Sequence, residues 1–257
     1  MRLDKRITAL GLTRAQAKRL IARGEVRVNG EVERDAGRVV TDADEVRAQG
    51  TAAAAAGHTH LMLFKPAGVL TATRDGRETT VLDLIPAPPR GLGPVGRLDK
   101  DVTGLILLTT DGQLAHRLIS PRFEIGKLYR ARVEGTLDEG CVEAFRQGVP
   151  LADFTAKSAN LSIEAPGTAL VEVFEGKYHQ VKRMFAAIGH PGVALERLRI
   201  GEVWLDSALA PGESRPLAAQ EAESLYRAVR LDPAHQDCWE VSGMTQHYFT
   251  SNPQSAH

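Results

Sequence analysis

Between Gly96 and Gly104 the chain reads Gly-Arg-Leu-Asp-Lys-Asp-Val-Thr-Gly, and an apolar run follows. A carboxylate in a loop mounted on a rigid strand can act as acid, base or nucleophile on a bound substrate. Taken alone, the stretch reads more readily as a solvated turn with Arg/Asp pairs. Asp99 and Asp101 are two residues apart. In extended backbone they point to opposite faces and cannot form a close acid–base pair, so one that acts would act alone.

A second candidate is Glu175-Gly176-Lys177-Tyr178-His179-Gln180-Val181-Lys182-Arg183-Met184. Lys177, Lys182 and Arg183 bracket the start of a predicted helix. The helix dipole favours anions at that end, so cations there point to an anionic partner, phosphate or carboxylate. The plain alternative is an exposed basic turn. His58-x-His60 is a metal-type fragment without further ligands at suitable spacing, and it reads as a linker pair. Neither a G-x-x-x-x-G-K-[ST] or G-x-G-x-x-G phosphate loop nor a G-x-S-x-G elbow is present.

Formal net charge is zero over 257 residues, but it is unevenly spread. Residues 1–40 carry ten Lys/Arg against five Asp/Glu, and residues 201–257 carry three against eight. That places a basic module at the front, fit to face phosphates. Cys141 and Cys238 stand in no CxxC pattern, which argues against a disulfide framework or structural zinc and fits a reducing cytoplasm. Met-Arg-Leu-Asp-Lys-Arg has no apolar stretch behind it, so no signal peptide is expected. No stretch approaches the ~18 apolar residues of a membrane span.

The elements that must position these residues follow from pattern. Residues 1–48 read as one module. Thr13 and Gln16 make a capping box, and the helix they open closes at Gly24, exposing Arg14, Lys18, Arg19 and Arg23. Val26-Arg27-Val28, Asn29-Gly30 and Glu31-Val32 read as a hairpin. Residues 49–60 read as a linker. Residues 61–232 read as mixed α and β without a regular βαβ repeat. Strands are predicted at Leu61–Phe64, Leu105–Thr110, Lys127–Val133 and Leu170–Phe174. Helices are predicted at Gln113–Ile119, His179–Ile188 and from Pro216 to near Val229. Tyr129 sits on an alternating strand and, by spacing alone, is a core residue. Residues 233–257 read as a disordered tail.

Together these stretches resemble the RsuA-type ribosomal pseudouridine synthases. The resemblance lies in residues 96–112, Gly-Arg-Leu-Asp through Leu-Leu-Thr-Thr-Asp-Gly. It extends to Lys127-Leu128-Tyr129, residues 175–189 and the turn Lys65-Pro66-Ala67-Gly68. The front is similar to an S4 RNA-binding domain through Arg2-Leu3-Asp4-Lys5, Thr13-Arg14 and Gly24–Gly30. The resemblance covers residues 1–230 in the family's order. Tyr-His-Gln-Val-Lys-Arg-Met-Phe and Ser120-Pro121-Arg122 resemble the small-subunit branch, which implies uridine 516 of 16S rRNA as target. Large-subunit relatives usually carry Asn-Arg-Gln-Val-Arg-Arg-Met instead.

The resemblance implies an α+β fold: an S4-like module over 1–48 and a catalytic domain over 61–232. That domain would be built on a mixed, largely antiparallel sheet with flanking helices. It implies isomerisation of uridine on a flipped-out base, with ribosomal RNA as partner and no cofactor or metal. A monomer is expected. It assigns Asp99 as the catalytic carboxylate and Tyr129 to the active site. It also makes Lys182, where many relatives carry Arg, the cation that keeps Asp99 ionised. A cation near 4 Å offers up to ~4 kcal/mol at an effective dielectric of about 20. Arg183 is the fallback for that role. RNA contacts are expected from Arg2, Lys5, Arg14, Lys18, Arg19, Arg97, Lys127, Lys177, His179, Gln180 and Arg183. Three other readings stand beside this one. They are a non-catalytic S4-type rRNA-binding or assembly factor, a synthase acting on 23S rRNA, and a hydrolase of nucleosides or glycosides, which lacks a plausible second carboxylate.

Overall fold

The computed structural model describes residues 1–10, 12–41, 44–49, 51–52 and 58–231, which fall into two units, 1–58 and 59–231. The predicted tail at 233–257 lies outside the described residues.

In the first unit, α1 (Leu3–Ile7) and α2 (Arg14–Arg23) accompany a four-stranded antiparallel sheet. Its strands are β1 (Val26–Val28), β2 (Glu31–Val32), β3 (Val46–Ala48) and β4 (Thr51–Ala52), in the order β2-β1-β3-β4. The expected capping box is formed: Gln16 N donates to Thr13 Oγ1 at 3.2 Å and Thr13 N to Gln16 Oε1 at 2.7 Å. Leu3, Ile7, Ala17, Ile21, Val26, Val28 and Val46 bury a common core. Alternation in β1 and β3 turns Arg27 and Arg47 outward.

The second unit is a nine-stranded sheet with helices on both faces. Its elements in chain order are β5 (His60–Lys65), β6 (Gly93–Pro94), β7 (Thr103–Thr109), α3 (Gly112–Ile119), β8 (Lys127–Arg132), α4 (Glu139–Gln147), β9 (Asn160–Ala165), β10 (Thr168–Val173), α5 (Gln180–Ala187), β11 (Ala194–Ile200), β12 (Val203–Trp204), β13 (Ser214–Pro216) and α6 (Ala219–Ala228). The main order is β13-β5-β7-β11-β8-β10-β9. Every pair is antiparallel except β7 with β11. The run Leu105-Ile106-Leu107-Leu108 is apolar throughout because β7 is covered on both faces. Ile106 and Leu108 pack with Phe145 and Phe185, and Leu105 and Leu107 with Leu114, Leu118, Leu225 and Tyr226.

Gly104 sets the closeness of the parallel pair. Its φ is +102°, and a Cβ there would lie 2.5 Å from the Arg197 backbone nitrogen. Only glycine allows β7 and β11 to meet there.

Three readings are corrected. The stretch read as a linker carries β4 and the first residue of β5. His60 belongs to no linker pair: it is 2% exposed, with Thr109 Oγ1 2.8 Å from Nδ1 and the Tyr226 hydroxyl 3.4 Å from Nε2. Asp99 and Asp101 do not diverge, because residues 99–102 form a turn closed by Val102 N to Asp99 O at 3.1 Å, where strand alternation does not apply.

Candidate active site

The loop carrying Asp99 is held from beneath. Lys65 is fully buried and donates to three carbonyls: Val102 O at 2.8 Å, Pro66 O at 3.0 Å and Lys100 O at 3.2 Å. Gly68 N donates to Lys100 O at 2.8 Å, and the Thr71 hydroxyl to Leu98 O at 2.7 Å. Thus the Lys-Pro-Ala-Gly turn and the strand–loop junction are one braced unit. Burial pushes the Lys65 ammonium down to about 8, against the pull of Asp101 and Asp99.

Two side chains from the start of α5 face Asp99. His179 Nε2 is 3.3 Å from Oδ1 and Lys182 Nζ 3.6 Å from Oδ2. Lys182 is closer to Asp101, at 2.7 Å from each oxygen. That hydrogen bond holds the Asp101 carboxyl below the usual carboxylate range. His179 reaches this place because it takes φ +49° before the first turn of α5, a conformation uncommon for a non-glycine residue. Its ring stacks on Tyr178, with centroids 3.7 Å apart, and Tyr178 is 76% exposed.

Behind Asp99 lies a cavity of about 140 Å³ lined by Arg97, Asp99, Lys127, Tyr129, Lys182 and Arg197, among others. Tyr129 is nearly buried, and its hydroxyl accepts from Arg197 Nη1 at 3.5 Å. Burial pushes the Lys127 ammonium down to about 8, and the nearby Arg197 charge adds to that shift.

The structure therefore brings Asp99, Tyr129, Lys182, Arg97, Lys127, Lys177, His179 and Gln180 around one cavity. Both ends of the Gln180 amide are engaged within the protein. It is buried, with Nε2 donating to Glu175 Oε1 at 2.6 Å and Oε1 accepting from Lys177 N at 3.0 Å. The amide braces the loop. Arg183, the fallback partner of Asp99, is paired with Asp153. Arg2 and Arg14 flank the buried Asp4, while Lys5, Lys18 and Arg19 are exposed.

Sequence reasoning missed Arg197 and the roles of Lys65 and Asp101. Arg197 lies on an interior strand, ninety-eight positions beyond Asp99, with no local motif to flag it. Among the described residues no group of three or more His, Cys, Asp or Glu could hold a metal, and no helix is long and apolar enough to cross a membrane.

Of the two carboxylates that line this aromatic and cationic cavity, Glu175 is held by Gln180 Nε2 and Lys157 N, and Asp99 is placed for attack on, or charge stabilisation at, a sugar carbon. The chain is similar to known proteins over most of its length. Residues 59–187 match the family described as RNA pseudouridylate synthase, and residues 1–46 match the S4 domain. The chain is 41% identical over 232 residues to "Ribosomal small subunit pseudouridine synthase A" of Vibrio parahaemolyticus, covering 88% of this chain and 100% of that one. The chain belongs to the RNA pseudouridylate synthases. The Escherichia coli protein of the same description is 42% identical over 231 residues, again covering 88% of this chain and 100% of the relative. A solved structure, "Crystal structure of pseudouridylate synthase", superposes with a TM-score of 0.64 at 37% identity, covering 88% of this chain and 99% of the other. The pseudouridylate synthase reaction keeps every atom of the substrate: N1–C1′ breaks, the uracil turns, and C5 joins C1′.

Proposed function

We propose that this chain converts uridine to pseudouridine in small-subunit ribosomal RNA, at uridine 516 of 16S rRNA, with Asp99 as the catalytic carboxylate. The observation that carries the site is Asp99 at the mouth of the cavity, with Lys182 and His179 on its two oxygens. The relatives described as small-subunit synthases support the choice of RNA.

The target base leaves its stack, at a cost of a few kcal/mol, and enters the cavity. Asp99 then attacks C1′, stabilises its positive charge, or takes a proton from the neighbouring sugar carbon. In each case the N1–C1′ electron pair departs with the uracil. After the base turns, C5 bonds to C1′, with the Asp99–C1′ bond breaking if Asp99 had attacked or the sugar-carbon proton returning if Asp99 had taken it; the C5 proton leaves and N1 is protonated. The ring of Tyr129 offers a face for the uracil. Arg97, exposed at the rim, is placed to organise the gap left in the RNA. The exposed Lys5, Lys18 and Arg19 of the S4 unit would hold phosphates without reading bases.

The test is mapping of pseudouridine on 16S rRNA from cells lacking this gene, complemented with wild type or Asp99→Asn. Wild type should restore the modification at 516 and the variant should not, while the purified variant still binds the RNA. Restoration by Asp99→Asn would overturn the assignment of the carboxylate, and an unaltered 516 in the deletion would overturn the target.

A further inference from the structure

Arg197 is 2% exposed and lines the same cavity as Asp99. Its Nε donates to Leu105 O at 2.8 Å, its Nη1 reaches the Tyr129 hydroxyl at 3.5 Å, and its Nη2, though buried, has no hydrogen-bond partner among the described residues. Nor does any described carboxylate lie within ion-pair distance of its guanidinium. The half-buried Arg199 of the same strand also has an unpartnered Nε, but its charge is paired: its Nη2 is bound to Glu172 Oε1 at 2.6 Å. A buried cation is normally paired, and a buried donor normally bonded. Lys127 adds a second cation to the cavity wall, likewise without a carboxylate, donating to Ile125 O at 3.1 Å.

We infer that Arg197 binds a carbonyl oxygen of the uracil in the cavity and stabilises the negative charge that the base acquires as N1–C1′ breaks. The electron pair of that bond is left on N1 and spreads over O2 and O4. The charge vanishes when C5 bonds to C1′, the C5 proton leaves and N1 gains a proton. No oxidant, reductant or further reactant enters. A donor aimed where charge develops, in a water-poor site, acts mainly on the transition state. The backbone prepares this placement: Arg197 stands opposite Gly104 in the parallel β7–β11 pair, and Nε is anchored on the neighbouring Leu105. Asp99 acts at the sugar and Arg197 at the base, on opposite sides of the breaking bond. The inference rests on the cavity being the uracil pocket proposed above.

A purely structural arginine would also explain the Leu105 bond, so the test must read the contact itself. Single-turnover rates are measured on an rRNA fragment carrying uridine, 2-thiouridine or 4-thiouridine at the target, with wild type, Arg197→Gln and Arg197→Lys. Sulfur is the poorer acceptor. In wild type, thio substitution at the contacted oxygen should slow the reaction about tenfold more than at the other position. In Arg197→Gln that excess should disappear, while kcat on uridine falls about 100-fold and RNA affinity changes less than about threefold. Arg197→Lys keeps the charge and supplies the comparison if Arg197→Gln fails to fold; its excess should shrink. Thio effects that are the same in wild type and both variants would overturn the inference and leave the proposed function standing. A wild type that converts no uridine in the fragment would overturn both.

Discussion

Lys182 Nζ lies 2.7 Å from both oxygens of Asp101 but 3.6 Å from Asp99 Oδ2, so the cation expected to serve the proposed catalytic carboxylate is shared and leans towards its neighbour. Asp101 is largely exposed and holds Lys182 by a charge-assisted bond at the cavity mouth. Lys182→Met should therefore lower kcat/KM by about 10- to 100-fold, because Asp99 then keeps only the His179 contact and loses the nearby ammonium charge. Asp101→Asn should cost under about fivefold, since Lys182 retains Asp99. Steady-state kinetics on the rRNA fragment decide it, and a larger loss in Asp101→Asn than in Lys182→Met would refute the assignment.

Lys65 predicts an alkaline limb. Its folded value is about 8, below the ordinary 10.5, so the ammonium loses its proton as pH passes 8. A neutral amine has two N–H groups and cannot serve three carbonyls, so the loop carrying Asp99 loosens and activity should fall above about pH 8. Stability moves the other way. Between about 8 and 10.5 the unfolded chain binds the extra proton, so this lysine's contribution to stability rises with pH through that window. Lys65→Met should be poorly active at every pH. Rate profiles from pH 6 to 10, beside urea midpoints at pH 7.5 and 9.5, test both directions.

These two lysines show where the sequence was legible and where it was not. Local signals carried local structure: the Thr13–Gln16 capping box and the Asn29-Gly30 hairpin stand within one or two residues of their predicted ends. The apolar run at Leu105 was found because burial on both faces removes alternation. Lys65 and Asp101 were quoted within motifs, yet their roles depend on tertiary contacts. Lys65 is thirty-five and thirty-seven positions from two of its carbonyls, and Lys182 is eighty-one from Asp101. Helix α4 and strands β9 and β11 were not predicted at all. In β11, Glu196, Arg197 and Arg199 interrupt the apolar pattern, because those side chains find partners within the unit or line the cavity.

A buried chain of polar groups ties α6 to the sheet. The Tyr226 hydroxyl donates to Asp111 Oδ2 at 2.8 Å and lies 3.4 Å from His60 Nε2. Asp111 also caps α3 through Gln113 N and Leu114 N. Burial and the Asp111 charge push the Tyr226 phenol well above its usual range, so it remains a donor. Tyr226→Phe leaves the carboxylate one donor short and should destabilise the protein by about 1–3 kcal/mol, with kcat of the folded enzyme unchanged. Urea unfolding of wild type and variant measures this.

Exposed Lys18 and Arg19 on α2 are predicted to contact phosphate. Replacing both with Ala should weaken rRNA binding across sequences. The slope of log K against log salt should fall by about 1.5, at roughly 0.7–0.9 for each phosphate no longer neutralised. Arg14→Ala should instead lower the stability of the first unit, because Arg14 Nε donates to buried Asp4 at 3.0 Å. Titrations from 50 to 200 mM salt separate the two effects, and an unchanged slope in the double variant would remove these residues from the interface.

Gly104→Ala tests whether the approach of β7 to β11 sets the chemistry. The added methyl would meet the Arg197 backbone nitrogen at 2.5 Å, and the φ of +102° is unfavourable for alanine. Relief requires the strands to part, which moves Arg197 away from Leu105 O and Tyr129. Loss of stability should be more than about 2 kcal/mol, a large value for one methyl. Activity of the fraction that remains folded should also fall, since a misplacement of about 1 Å can cost 10²-fold. Gly68→Ala makes the comparison: its φ is +85° but no atom lies within 4 Å of the added Cβ, so backbone strain acts there without a clash. If Gly104→Ala loses no more activity per folded molecule than Gly68→Ala, the close pairing serves stability alone.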